Sequence, residues 1–279
     1  MTTARRLLAI VLAAALVLAM AGCKKEAEEP ALQPKVAPPV ISTEGVLKVG
    51  VDLGYPPFAG VDNDKNAGID VDIAAAIAER LGLKVELVDV KPSELAEALN
   101  DGTVDIALGG ISITDAVTAD VSTAGSYLID GPGIFSVVAT DSVPTTLTAA
   151  DLPGKRIAAQ QGSPAFWTLE SDYGEGFATQ YPSLKAAFDA LEAGEVDLVV
   201  GDSAVGAYIA RDYARVSFVG QFGAAQPLGI AVKKDATELE AVIREAVDAL
   251  AADGTLDTIR TKWLGHLPSL EVPVEESTN

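Results

Sequence analysis

Apolar and polar positions alternate from Leu47 to Val51, with Lys48 and Gly50 between Leu47, Val49 and Val51, and this predicts a β-strand. The strand stops at Gly54 and the chain turns on Pro56-Pro57, leaving Asp52, Tyr55 and Phe58 at its carboxyl end. Ligands of open α/β sheets bind at such ends. The period then changes. Ile73, Ile77 and Leu81 recur on one face of a helix that begins at Asp70 and closes at Gly82. A strand is expected over 84–90, a second helix opening at Pro92-Ser93-Glu94, and a buried strand over 104–108. Farther on, the pattern predicts strands over 155–159 and 196–200, the latter ending at Asp202, and helices from Gly162-Ser163-Pro164 and over 183–192. The first helix carries Phe166 and Trp167. Leu239, Val242, Ile243, Ala246, Val247 and Leu250 mark the apolar face of a late helix.

One phrase occurs twice. ALNDGTVDIALGGIS, from Ala98, matches ALEAGEVDLVVGDS, from Ala190: a helix end, a glycine, Val-Asp, an apolar strand and a polar residue at the strand's end. Two copies of one α/β plan predict two similar lobes, and two copies are too few for a solenoid. The chain is expected to cross between lobes at 133–139 and at 228–232. Lobe one is then 44–135 plus 229–268, lobe two 136–228, and 269–279 an acidic frayed tail. Residues 62–66 share the spacing of acidic groups in a calcium loop, but Ala67 stands where its invariant glycine belongs and Ile73 where its bidentate glutamate belongs. A hairpin turn is the expectation there.

The amino-terminal segment follows another logic. Arg5 and Arg6 precede an apolar run and small residues, the pattern of a signal peptide over 1–22. Cys23 follows Met20-Ala21-Gly22, which resembles a lipobox with methionine in place of the usual leucine. The mature protein is thus expected to begin at a lipidated Cys23, and a lone cysteine forms no disulfide within the chain. Residues 23–43, with Pro30, Pro34, Pro38 and Pro39 among charged and small residues, read as a disordered tether.

Composition narrows the function. Apolar residues make up 49% of the chain, enough for a packed core. Acidic residues outnumber basic ones 40 to 20, which makes nucleic acid an unsuitable partner. His266 is the single histidine and sits in a turn, so metal sites built from cysteine and histidine are not expected. There is no P-loop, and the glycines from Gly50 to Gly60 do not fit GxGxxG, so no cofactor is expected. Asp52, Asp105, Asp197 and Asp202 are the carboxylates available for acid–base work, but Asp105 and Asp197 hold identical places in the echo, which argues a structural role.

LKVGVDLGYPPF, GIDVDIAAAIAERLGLKVELV, GTVDIALGGISIT, LPGKRIAAQQGS, GEVDLVVGDSAV, PLGIAVKKD and ADGTLDTIRTKWLG follow one another across 47–265. In this order they resemble the bacterial extracellular solute-binding proteins, family 3, which capture polar amino acids for ABC importers. The resemblance implies a two-lobed α/β fold of the type II periplasmic-binding-protein kind, each lobe a mixed sheet flanked by helices with the ligand in the cleft. It implies a non-enzymatic, monomeric receptor outside the cytoplasm, lipid-anchored to the membrane and partnered with a permease. A sensor domain and a dehydratase-like enzyme on the same fold are the alternatives. It further implies an aromatic wall from Tyr55 and Phe58, polar contacts from Gly110 and Ser112, an anion site at the helix start Gly162-Ser163, and Asp202 as acceptor of the ligand's ammonium group. Asp202 reads equally as a helix N-cap. Asp52 and Trp167 complete the candidate set. Two departures bear on specificity. Val117 stands where the family commonly has an arginine for the ligand's α-carboxylate, and Pro164, without an N–H, replaces a threonine. The expected ligand therefore presents a cationic nitrogen and relies little on an α-carboxylate. Arg156 or Lys155 is the candidate substitute for the missing arginine.

Overall fold

The strand predicted from Leu47 is β1 (Val46–Val51), and it lies at the heart of a five-stranded sheet. The computed structural model describes residues 33–113, 120–139 and 142–272. β1 pairs in parallel with β4 (Lys84–Asp89) on one side and β5 (Ile106–Ala107) on the other. β5 is followed outward by two antiparallel strands, β12 (Gln226–Lys233) and β6 (Val121–Asp130). A separate hairpin of β2 (Gly60–Asp62) and β3 (Lys65–Ala67) turns at Asn63 and Asp64, whose positive φ of 48° and 60° suits a type I′ turn. This bears out the hairpin expected there.

The second sheet repeats the plan. β8 (Ile157–Gln160) is flanked in parallel by β9 (Ala178–Tyr181) and β10 (Leu198–Asp202), and β10 is followed by antiparallel β7 (Pro132–Val137) and β11 (Val216–Gln221). Each sheet thus has three parallel strands in the same order and an antiparallel pair. β6 ends in sheet one and β7 starts in sheet two; β11 ends in sheet two and β12 starts in sheet one. The crossings therefore lie at Gly131 and over 222–225, earlier than the apolar runs suggested. Phe135 is a fully buried centre of sheet two and Leu228 belongs to sheet one. The reason is that both runs are strands in their own right, and an apolar strand interior looks the same from either side of a crossing.

Helices cover both faces. In sheet one these are α1 (Ile69–Arg80), α2 (Leu95–Asn100), α6 (Thr237–Ala252) and α7 (Thr255–Leu264). In sheet two they are α3 (Pro164–Tyr173), α4 (Leu184–Glu192) and α5 (Ser203–Ala210). Strands buried on both faces read as continuous apolar runs, and sheet two shows why. Ile157, Ala159, Leu198 and Val200 pack with Phe166 and Leu169 of α3, whereas Ala158 and Val199 face Phe188 and Leu191 of α4. In α6, Leu239, Ile243, Ala246, Val247 and Leu250 are buried, as the period predicts, and Val242 partly so. Burying each large aliphatic side chain contributes ~1.5–3 kcal/mol.

The echoed phrase has a shared physical cause. Each Val-Asp aspartate clasps the start of the neighbouring parallel strand. Lys48 N–H donates to Asp105 Oδ2 at 2.9 Å while Asp105 N–H donates to Lys48 O at 2.9 Å. In sheet two, Arg156 N–H donates to Asp197 Oδ2 and Asp197 N–H to Arg156 O, both at 2.8 Å. These contacts give both aspartates the structural role the echo argues for.

Both ends of the folded body extend beyond the sequence expectation. Val36 and Ile41 are buried in the core of sheet one, Lys35 N–H donates to Leu81 O, and Ser42 N–H donates to Asp105. Residues 34–43 are therefore packed chain, because three apolar side chains among the prolines find a groove beside the end of α1. At the other end Leu270 is buried, and Glu271 exchanges backbone hydrogen bonds of 2.8 Å with the Gln221 side chain in both directions. Residues 269–272 are docked accordingly. Cys23, Val117 and 273–279 lie outside the described residues.

Candidate functional site

The carboxyl ends of β1, β5, β8 and β10 all point toward a cavity of about 660 Å³ between the two sheets. Sheet one supplies an aromatic wall. The loop after β1 is closed by Tyr55 N–H donating to Asp52 O and by a bridge between Tyr55 and Ala59, which holds Tyr55 against Phe58 with ring centroids 5.1 Å apart and 21° between planes. Phe58 is buried and Tyr55 is 38% exposed, and both line the cavity. Gly110 continues the wall. Its φ is +66°, a Cβ there would stand 3.4 Å from the Tyr55 ring, and its N–H donates to the Tyr127 hydroxyl at 3.2 Å.

Sheet two supplies the start of α3 and the end of β10. Ser163 caps α3, its hydroxyl accepting from Phe166 N–H at 3.2 Å. With Pro164 next in line, this helix start has one N–H fewer to offer an anion. Asp202 is the N-cap of α5 and accepts from Val205 N–H at 2.8 Å, and it also lines the cavity. The N-cap role of Asp202 is thus observed, and the same carboxyl group is placed on the cavity wall.

Asp130, the last residue of β6, faces Asp202. It is buried and accepts from Gly131 N–H at 2.8 Å and from Ala204 N–H at 3.0 Å. Burial, and after it the charge of Asp202, pushes its pKa well up. Burial likewise raises that of Asp202. Tyr55 is shifted up by burial and by the nearby Asp202, Asp130 and Asp70. Among the described residues lining the cavity, Asp130 and Asp202 are the charged ones, and no lysine or arginine accompanies them.

Tyr55, Phe58, Gly110, Ser163 and Asp202 therefore meet in one cavity, and Ser112 stands just behind it, its hydroxyl donating to Gln226 Oε1 of the lining. Three predicted residues lie elsewhere. Asp52 is paired with Lys91 at 2.6 Å and accepts from Gly54 N–H, so it closes its own loop, and the Lys91 ammonium holds its pKa down. Trp167 is 62% exposed, because Phe166 and Leu169 take the core face of α3 while Ala165 and Thr168 take the cavity face. Gly162 forms the turn before Ser163 without lining the cavity. Arg156 is committed to Asp197 through contacts of 2.6 and 3.2 Å at the opposite end of β8 from Gln160, which lines the cavity. Asp130 went unrecognised in the sequence. Its signal was available: a carboxylate ending an apolar strand before Gly131-Pro132, the same rule that singles out Asp52 and Asp202.

Comparison with known proteins agrees with this arrangement. The L-cystine-binding protein TcyJ of Escherichia coli (strain K12) is 26% identical over 228 residues, covering 81% of this chain and 85% of that protein. The L-arginine-binding protein of Pseudomonas aeruginosa is 29% identical over 238 residues, covering 81% and 90%. The solved structure of an ancestral cationic amino acid solute binding protein (AncCDT-1) matches with a TM-score of 0.69 and 30% identity, covering 79% of this chain and 96% of that one. The fold is that of the type II periplasmic binding proteins. The family profile matches residues 47–266, both sheets and the cleft between them included, and the chain belongs to the bacterial extracellular solute-binding proteins, family 3.

Proposed function

We propose that this protein is the capture component of an ABC importer and that it takes a small solute bearing a cationic nitrogen between its two lobes. One observation carries the reading: two carboxyl groups, the buried Asp130 and the half-buried Asp202, face the Tyr55–Phe58 stack with no cationic side chain among the described lining residues. A buried carboxylate needs a charge partner, and a cation entering the cleft supplies one while its other side rests on an aromatic face, at ~0.5–2 kcal/mol per ring. Two observations support little reliance on an α-carboxylate: of the candidate substitutes for the missing arginine, Arg156 is paired with Asp197 and Lys155 does not line the cavity. The cationic-amino-acid and arginine specificities named for two of the similar proteins agree with the cation. Lipid attachment at Cys23 would hold the receptor near its permease, and bending at Gly131 and 222–225 would close the lobes, a known hinge transition.

A thermal-shift panel tests the ligand class. Arginine, lysine, cystine, their decarboxylated amines, polyamines and betaines are compared at matched concentrations. A ligand at ~100 times its dissociation constant adds ~2.7 kcal/mol of stability. The expected outcome is a shift with decarboxylated cations as large as with the parent amino acids. Shifts confined to α-amino acids would show that the carboxylate is recognised after all.

A further inference from the structure

Asp130 and Asp202 come from different sheets and meet at the first turn of one helix. Asp130 accepts the Ala204 N–H and Asp202 the Val205 N–H, consecutive amides of α5, and both carboxyl groups line the same cavity. Carboxyl groups held against adjacent amides do not both ionise freely, and the charge of Asp202 adds to burial in raising the pKa of Asp130. Among the described residues lining the cavity, none offers the pair a counter-charge. Tyr55 faces it from the loop after β1, and Asp70 of α1 and Tyr127 of β6 stand behind that wall. The polar lining from the end of β8, the start of α3 and the start of β12 is neutral: Gln160, Ser163, Thr168 and Gln226. Only the amino-terminal dipole of α5 favours negative charge. The pair is also placed where the chain crosses between sheets, since Asp130 directly precedes Gly131.

We propose that Asp130 is a specificity-determining residue that shares one proton with Asp202 in the ligand-free protein, and that an entering cationic nitrogen displaces this proton to solvent. The inference rests on the cation reading of the cleft given above. The exchange balances: one O–H bond of the pair breaks, the proton passes to buffer, and the ligand's N–H donors bond both carboxylates in its place. The cleft carries the same net charge before and after, so a monocation is exchanged for a proton without leaving a buried charge uncompensated. The apparent affinity for such a ligand then rises about tenfold per pH unit until the pair has lost its proton, and is flat above that pH. A single aspartate ionising in the usual carboxylate range would show neither the slope nor the release near neutral pH.

Two measurements on the intact protein test this. Carboxyl NMR of aspartate-labelled protein, titrated without ligand, follows the pair directly, with Asp130→Asn and Asp202→Asn as assignment variants. Asparagine retains the oxygen that accepts the α5 amides, and an amide fingerprint spectrum verifies the fold. One acid of the pair is expected to keep its proton well above the usual carboxylate range, and each variant is expected to return its partner toward that range. Calorimetry with L-arginine and agmatine in buffers of low and high ionisation enthalpy is expected to show about one proton released per ligand bound, and none in Asp130→Asn. Independent, ordinary titration of both carboxyls would overturn the shared proton whatever binds. A shared proton in a protein that binds neither probe would sink the cation reading and the exchange with it, but not the pair. Binding with equal heat in both buffers would overturn the exchange while leaving the cation reading intact.

Discussion

The two sheets are built alike and furnished differently. Each places a helix between the first two strands of its parallel trio, in sheet one after the β2–β3 hairpin, and the second position of that helix shows the divergence. In sheet two it is Ala165, a small residue in the cavity wall. In sheet one it is Asp70, fully buried, whose carboxyl oxygens have no hydrogen-bond partner among the described residues, although the Tyr127 hydroxyl faces it. Clasp, strand order and helix placement are shared because the backbone requires them; the residues at the strand ends are free of that requirement and take up separate tasks. Sheet one became the apolar, aromatic wall. Sheet two and the crossing became the polar one.

The largest expected effect tests that divergence at Asp70. Burial raises its pKa to about 7 against an ordinary 3.8, slightly opposed by Tyr127. The native state keeps this proton from pH 4 to about 7, where the unfolded chain has already released it. Its stabilising contribution is therefore complete below the unfolded pKa and is lost as pH rises through the folded one, by on the order of 4 kcal/mol. Denaturant unfolding of the wild type and of Asp70→Asn at pH 4, 6 and 8 isolates this from the general charge of an acidic protein. The stability gap should swing toward the variant by about that amount as pH rises. A gap that stays constant would mean that water or a closer partner solvates the carboxylate.

Much of this was legible beforehand, and what escaped has physical reasons. Strand β1, the faces of α1 and α6, and the echo around Asp105 and Asp197 were readable because local periodicity and a repeated phrase report backbone geometry directly. The crossings were misplaced because β7 and β12 are apolar strands whichever sheet they join. The tether was drawn too long because prolines dominate 34–43 while Val36 and Ile41 anchor it through a tertiary groove. Of the cleft, Tyr55, Phe58, Gly110, Ser163 and Asp202 were identified, whereas Trp167 was included for its chemistry although its helical position turns it outward. Asp130 escaped although its place at a strand end was readable, because its pairing with a residue as distant in sequence as Asp202 leaves no local pattern.

The shared clasp gives a smaller effect with a predicted asymmetry. Asp105 is buried and satisfies two backbone amides, Lys48 and Ser42, which Asp105→Ala would leave without an acceptor. An unsatisfied donor costs ~1–3 kcal/mol when buried, and since both amides are only partly buried a combined loss of ~2–4 kcal/mol is expected. Asp197 performs the same clasp at the surface, with a side chain 38% exposed and its charge screened against Arg156. Water can replace it there, and an exposed ion pair contributes ~0–1 kcal/mol. Asp197→Ala should cost about 1 kcal/mol. Chemical denaturation of both variants reads the difference, and equal losses would show that exposure does not distinguish the two clasps.

The smallest effect asks where the lobes should be indistinguishable. Gly102 and Gly194 follow the helices α2 and α4 directly, with φ of +81° and +74°, and a Cβ on either would meet nothing within 4 Å. Space is not the constraint at these positions; handedness is. A left-handed residue ends each helix, and in α4 the amides of Gly194 and Glu195 turn back to the carbonyls of Leu191 and Ala190. An L-residue in that conformation costs ~1–2 kcal/mol, offset in part by the lower entropy of the unfolded chain. Gly102→Ala and Gly194→Ala are therefore each expected to lose ~1 kcal/mol, and the corresponding asparagine variants less, because asparagine tolerates this region. Since neither site touches the cleft, ligand affinity should not change. Losses that differ by more than about 1 kcal/mol would mean that the two lobes do not share their helix ends as they share their strand clasps, and that the repeat in the sequence overstates the repeat in the energetics.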